Sequence, residues 1–272
     1  MIGGFRTLYR AVDSFLDNDG MALAGYVAFS VLLGLFPFAI LASNVATLFL
    51  GDAQGQSAID LLFRSTPDHV AKTLEPVMRS VIAGSSGGVL TLSALAALWF
   101  SSNAFEALRT GFDRAYGLPG RKWYLGRLTS ILCVFFSVFV TLFLGVAIIF
   151  GPILIELVET RLNLTVPPVI FAVRYSAGLF VFVIFLTFLH KVLPRRSLPL
   201  AKLLPGVLAT TLIWIVIASG FSAYLAYAPS YASTYGALAG VAITLIFFNI
   251  TAISVLFGAE LNVALDGRKG QG

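Results

Sequence analysis

Apolar residues run in six long stretches, at about 20–50, 85–106, 128–155, 169–190, 203–226 and 235–259, and the charges collect between them. Between Arg127 and Glu156 there are 28 residues without a formal charge, and from Leu203 to Ala259 there are 57, enough for two passes through a bilayer. A transmembrane helix needs about 20 apolar residues at 1.5 Å rise each. The pattern therefore predicts an all-α polytopic membrane bundle of six transmembrane helices, one domain over residues 1–272. The window from Leu132 to Gly151 holds 14 residues drawn from Leu, Ile, Phe and Val. At about −0.3 to −0.6 kcal/mol each, these favour insertion by roughly 4 to 8 kcal/mol before any polar penalty.

Orientation comes from the basic residues. Alternate connections, taken with the two ends, carry thirteen Lys and Arg against five in the others. The positive-inside rule then places both termini in the cytoplasm and three loops outside. The first outer loop, 51–84, has Val70, Leu74, Val77 and Val81 at helical spacing, with Ile59, Leu62 and Phe63 as a second apolar patch. It reads as amphipathic helices that cap the bundle or lie on the outer leaflet. Residues 1–19, with Arg6 and Arg10, read as a short amphipathic lead-in at the cytoplasmic surface. The uncharged run from Gly20 to Gly51 is about twice the length of a secretory signal core. Composition agrees: 58% hydrophobic residues, 11% charged and a mean hydropathy of +0.92, against about 25% charged in soluble domains. The net charge of +5 is explained by that asymmetry rather than by a nucleic-acid partner. The single cysteine, Cys133, cannot form an intrachain disulfide.

Within this frame a few polar residues stand out. Asn103, Glu106, Thr110 and Asp113 step by three, four and three, so a helix continuing into the cytoplasm carries them as one stripe beside Arg109 and Arg114. Glu106 and Arg109 have the spacing of an ion pair. Glu260 and Asn262 end the last helix on the same side and are expected to join them. The network reads either as a solvated closure of the cytoplasmic end or as a gate that meets a polar head group, since charges near membrane depth are usually paired and often functional. Pro37, mid-span, removes a backbone hydrogen bond and reads as a kink or hinge. Arg174 reads as a snorkelling interface residue or as an anion contact. Gly236 and Gly240, with Thr244, form a small-residue stripe for helix packing, within the bundle or at a homo-oligomer seam. His190, beside Lys191, Arg195 and Arg196, belongs to a basic hinge at the leaflet facing the cytoplasm.

No phosphate-binding loop, dinucleotide fingerprint or metal-ligand spacing appears, so no cofactor or metal is expected. Three stretches instead carry a resemblance. They are Asp19-Gly20 with Ala24 to Ser30 running to Leu35-Phe36-Pro37; Trp99 to Gly117; and Pro205-Gly206, Trp214, Phe221 to Tyr224, Tyr235-Gly236 and Gly258 to Asn262. In order and spacing the chain resembles the YihY/BrkB-type bacterial inner-membrane proteins. Gly34 departs from a serine that many relatives have there. The resemblance implies a six-helix protein of the bacterial inner membrane. The ribonuclease label some members carry finds no paired acid and base groups here. The expectation is therefore a non-enzymatic protein that moves, or helps move, a lipid or other amphiphile, with membrane lipids as its partners. The alternative is a scaffold that docks envelope proteins through 51–84.

Overall fold

The computed structural model describes residues 2–34, 87–140 apart from 121 and 138, 169–227 apart from 195 and 197, and 237–266. Among these residues the chain is all-helical, with no strand. The helices are α1 (Ile2–Asp17), α2 (Gly20–Gly34), α3 (Gly87–Ala115), α4 (Trp123–Ser137), α5 (Val169–Val192), α6 (Leu200–Tyr227) and α7 (Ala237–Asp266). Two of them, α6 and α7, are long and apolar enough to cross a membrane, by length and composition. Pro37, Gly236 and the 51–84 loop lie outside the described residues, as does the side chain of Arg174.

Local chemistry sets the helix ends. The chain turns between α1 and α2 at Asp19, which adopts a left-handed conformation with φ 57°, tolerable for Asp because its short polar side chain can bond locally. Asp19 then accepts from Leu23 N–H to open α2. Gly20 follows because the ring of Phe15 fills the space a Cβ would need. Helix α3 stops at Gly117, φ 64°. There Gly117 N–H donates to the Arg114 carbonyl and Leu118 N–H to that of Asp113, the paired bonds of a glycine C-terminal cap.

Helix α7 is central, packing against α1, α3 and α6, and α5 lies against α6. Helices α6 and α7 cross closely. A Cβ at Gly206 would fall within 3 Å of the Gly258 carbonyl oxygen and of the Asn262 amide, and one at Gly258 would meet the Gly206 carbonyl. Only glycine at both positions lets the backbones touch. Rings tie the remaining helices: Phe112 of α3 meets His190 of α5 edge-on at 4.9 Å, Phe136 of α4 meets Phe188 of α5 at 3.9 Å, and Phe182 of α5 meets Trp214 of α6 at 4.9 Å. The core around Phe112, Leu186, Leu193, Leu203 and Val207 is fully buried.

The outward faces are also apolar. Leu128, Leu132 and Phe135 run exposed along α4, and Leu204, Leu208, Leu212 and Val216 along α6, with Val216 71% exposed. A helix that is apolar on both its packed and unpacked sides suits a hydrocarbon surrounding, not water.

Candidate functional site

Among the described residues, the C-terminal half of α3 carries the densest group of buried charge. Helical spacing puts Glu106 and Asp113 on either side of Arg109. Arg109 donates from Nη2 to Glu106 Oε1 at 2.5 Å and from Nε to Glu106 Oε2 at 3.3 Å. Its Nη1 donates to Asp113 Oδ2 at 2.6 Å. The Arg109 and Asp113 side chains are almost wholly buried, while Glu106 keeps 27% of its surface. Burial alone would lower the Arg109 pKa. The Glu106 hydrogen bond and the charges of Glu106 and Asp113 outweigh it, and the guanidinium is held above its ordinary value. One cation thus sits between two carboxylates in a planar fork that a lysine could not reproduce.

Helix α4 lies across this ionic clamp. Ser130 Oγ donates to Glu106 Oε2 at 2.9 Å. Arg127 Nη1 donates to Asn103 Oδ1 at 2.6 Å and Nη2 to the Trp99 carbonyl at 3.1 Å, with the guanidinium carbon 3.9 Å above the Trp99 ring. Gly126 is buried over the Arg109–Glu106 pair. A Cβ there would press on Arg109 Nε and Glu106 Oε1 at 3.1 Å each. The glycine lets α4 settle onto the charges.

The structure therefore brings Glu106, Arg109 and Asp113 together and adds Asn103 through Arg127. It gives Glu260 and Asn262 other partners. Glu260 Oε1 accepts from Asn18 Nδ2 at 2.6 Å, at the α1–α2 corner, where Arg114 also bonds Asp19 at 2.6 Å and the Asn18 carbonyl at 3.3 Å. Asn262 clamps α6: its Oδ1 accepts from Gly206 N–H at 2.7 Å and its Nδ2 donates to the Leu203 carbonyl at 3.1 Å. Gly240 is buried in α7, and Thr244 Oγ1 donates to its carbonyl at 2.7 Å. His190 is fully buried against Phe112, with Nδ1 donating to the Leu186 carbonyl at 2.9 Å, while neighbouring Lys191 is exposed.

Ser130, Gly126, Arg127 and Trp99 complete the site and carry no periodic signal that would single them out. Trp99 opens one of the three stretches that carry the resemblance, and Arg127 directly precedes the third apolar stretch. Tyr116, just past α3, is buried, and burial pushes its phenol up to about 12 against the opposing pull of the Asn262 amide and the Arg196 charge. Among the described residues, no group of three or more His, Cys, Asp or Glu is placed to hold a metal.

The profile of the family described as Virulence factor BrkB matches residues 11–272. A Bacillus subtilis protein that bears the name "putative ribonuclease-like protein YfkH" is 27% identical over 255 residues, covering 93% of this chain and 92% of that one. A UPF0761 membrane protein of Rhodospirillum centenum is 27% identical over 261 residues, 94% of this chain but 56% of the relative, so the chain spans about half of that protein. A UPF0761 membrane protein of Alteromonas mediterranea is 26% identical over 257 residues, covering 89% of this chain and 81% of the relative. No solved structure matches.

Proposed function

The chain belongs to the BrkB family, and from that premise we propose that it is an integral protein of the bacterial inner membrane, threaded six times with both ends in the cytosol, that moves a lipid or another amphiphile. Relatives named as membrane proteins, the apolar outer faces of α4 and α6 and the thirteen-to-five asymmetry of basic residues support the membrane placement. Helix α3, 29 residues long, extends about 43 Å, more than the roughly 30 Å of hydrocarbon. Its polar half therefore reaches the cytoplasmic head groups.

The observation that carries the transport reading is the Glu106–Arg109–Asp113 clamp under α4. Buried charge in an apolar-walled chain is costly, and ionisable groups near membrane depth are functional candidates. Arg109 holds a carboxylate through two parallel bonds, and a lipid phosphate presents the same geometry. A head group that displaces Glu106 from Arg109 would also free Ser130 and loosen α4 from α3. The clamp is then a gate at the cytoplasmic end, with Arg109 as the head-group contact and Glu106 as the group that resets it. Pro37 supplies the hinge of the first span, and Arg174 an anion contact on the outer side. The ribonuclease name of the Bacillus relative has little to draw on here, because both carboxylates of α3 are taken up by Arg109.

Reconstituted protein should exchange fluorescent phospholipid between leaflets, and Glu106→Ala should change that rate several-fold. Equal exchange with and without protein counts heavily against the reading. The scaffold alternative rests on the helical spacing of Val70, Leu74, Val77 and Val81 in the outer loop. A stoichiometric partner crosslinked from that loop, with no lipid exchange, would favour it.

A further inference from the structure

Helix α1 is divided into three faces. At about 100° per residue, buried Ala11, Ser14 and Phe15 share one arc, and this arc docks on α7, where Phe15 meets Phe257 edge-on at 6.4 Å. Arg6, Arg10, Asp13 and Asp17, all exposed, fall on a second arc. Between them, on a third arc, lie Phe5, Leu8, Tyr9, Val12 and Leu16, also exposed, with Phe5 at 77% and Tyr9 at 64%. A helix of 16 residues with four charges cannot span a bilayer. A water-soluble helix has no reason to turn five large apolar side chains away from the body it packs on.

We infer that α1 lies in the plane of the cytoplasmic leaflet, with the Phe5–Val12–Leu16 face sunk among the acyl chains beside the bundle and the Arg6–Asp13 face in water. The order of the arcs (protein, hydrocarbon, water) is that of a helix at the line where all three meet. Tyr9 stands at the edge of the apolar arc next to the charged one, where an amphipathic ring suits head-group depth. Arg6 and Arg10 on the water side complement anionic lipid. A second copy of the chain is a poorer occupant. The five side chains expose on the order of 500 Å², below the roughly 800 Å² per partner of a standard protein interface. The placement also sets depth on the rest of the molecule. Asn18, Asp19, Arg114 and Glu260, which meet at the end of α1, then sit at the level of the head groups. The inference rests on the membrane reading above.

Spin labels at Val12→Cys, Leu16→Cys, Asp13→Cys and Asp17→Cys test it, in the full chain reconstituted into vesicles of phosphatidylethanolamine and phosphatidylglycerol. Val216→Cys serves as the bundle reference. The unsubstituted chain, whose one cysteine is buried, is the blank. Labels at positions 12, 16 and 216 should relax with oxygen several-fold more than with a water-soluble nickel chelate, and those at 13 and 17 the reverse. If 12 and 16 respond like 13 while 216 responds to oxygen, the in-plane helix is wrong and the membrane reading stands. If 12 and 16 are shielded from both reagents, protein covers the face and the inference also fails. A nickel-accessible label at 216 would overturn the membrane reading itself.

Discussion

Gly206→Ala should separate α6 from α7 at their crossing. The new methyl would lie within 3 Å of the Gly258 carbonyl oxygen and 2.5 Å from the Asn262 side-chain carbon. An ordinary carbon–oxygen contact is about 3.3 Å, and the atom in the way is backbone, so the helices have to part by about 1 Å. Parting stretches three hydrogen bonds: Gly206 N–H to Asn262, Asn262 to the Leu203 carbonyl, and Thr210 to the Ser254 carbonyl. At roughly 0.6–1 kcal/mol each these amount to about 2–3 kcal/mol. Looser contacts around Leu203, Val207, Ala259 and Val263, all buried, add about 1–2 kcal/mol. The expected loss is about 3–5 kcal/mol. Gly220, in the same helix, meets nothing within 4 Å of its would-be Cβ, so Gly220→Ala should gain about 0.5–1 kcal/mol from helix propensity alone. Unfolding of the two variants in detergent micelles, followed by tryptophan fluorescence, reads the difference. A Gly206→Ala protein as stable as the parent, or a Gly220→Ala protein equally damaged, would refute the close crossing.

Arg109→Ala should cost about 3 kcal/mol, the low end for breaking a buried ion pair because Glu106 keeps some solvent; the same unfolding assay measures it, and Arg109→Lys should recover only part of the loss. A loss under about 1 kcal/mol would show the clamp to be dispensable. Tyr116 holds its proton up to about 12 in the folded chain, against about 10 when unfolded. Because the folded pKa is the higher one, the associated stability is fully present below pH about 10 and is lost as pH rises from there through about 12. About 3 kcal/mol is at stake, and a Tyr116→Phe protein should show a correspondingly flatter decline in stability across that window. Ultraviolet titration of tyrosinate should show that Tyr116→Phe removes a late-ionising phenol, and removal of an ordinary one would contradict the buried placement.

The helices of the C-terminal half were legible because long uncharged runs admit few alternatives, and the α3 stripe because its members lie within one helix. Glu106, Asp113 and Arg109 meet through spacing alone. What lay between elements was not legible. Asn262 shares a helix end with Glu260, yet it turns to α6, because Gly206 and Gly258 bring that backbone within reach of its amide. Glu260 goes to Asn18 because Asp19 turns the chain there. Ser130 and Gly126 bear on the clamp only once α4 folds back over α3, 24 residues away from Glu106 in the case of Ser130. His190 reads as part of a basic surface beside Lys191, but it is fully buried, edge-on to the ring of Phe112. Sequence spacing orders residues on one helix; which helices touch depends on small residues whose partners lie far along the chain.

The membrane threading on which the gate depends is tested most directly by reporter fusions at the two ends in living bacteria. Green fluorescent protein should fluoresce at both ends, and alkaline phosphatase should be inactive at both. An active phosphatase at one end alone would put the termini on opposite faces of the bilayer and remove the basis for placing Glu106, Arg109 and Asp113 at a cytoplasmic mouth.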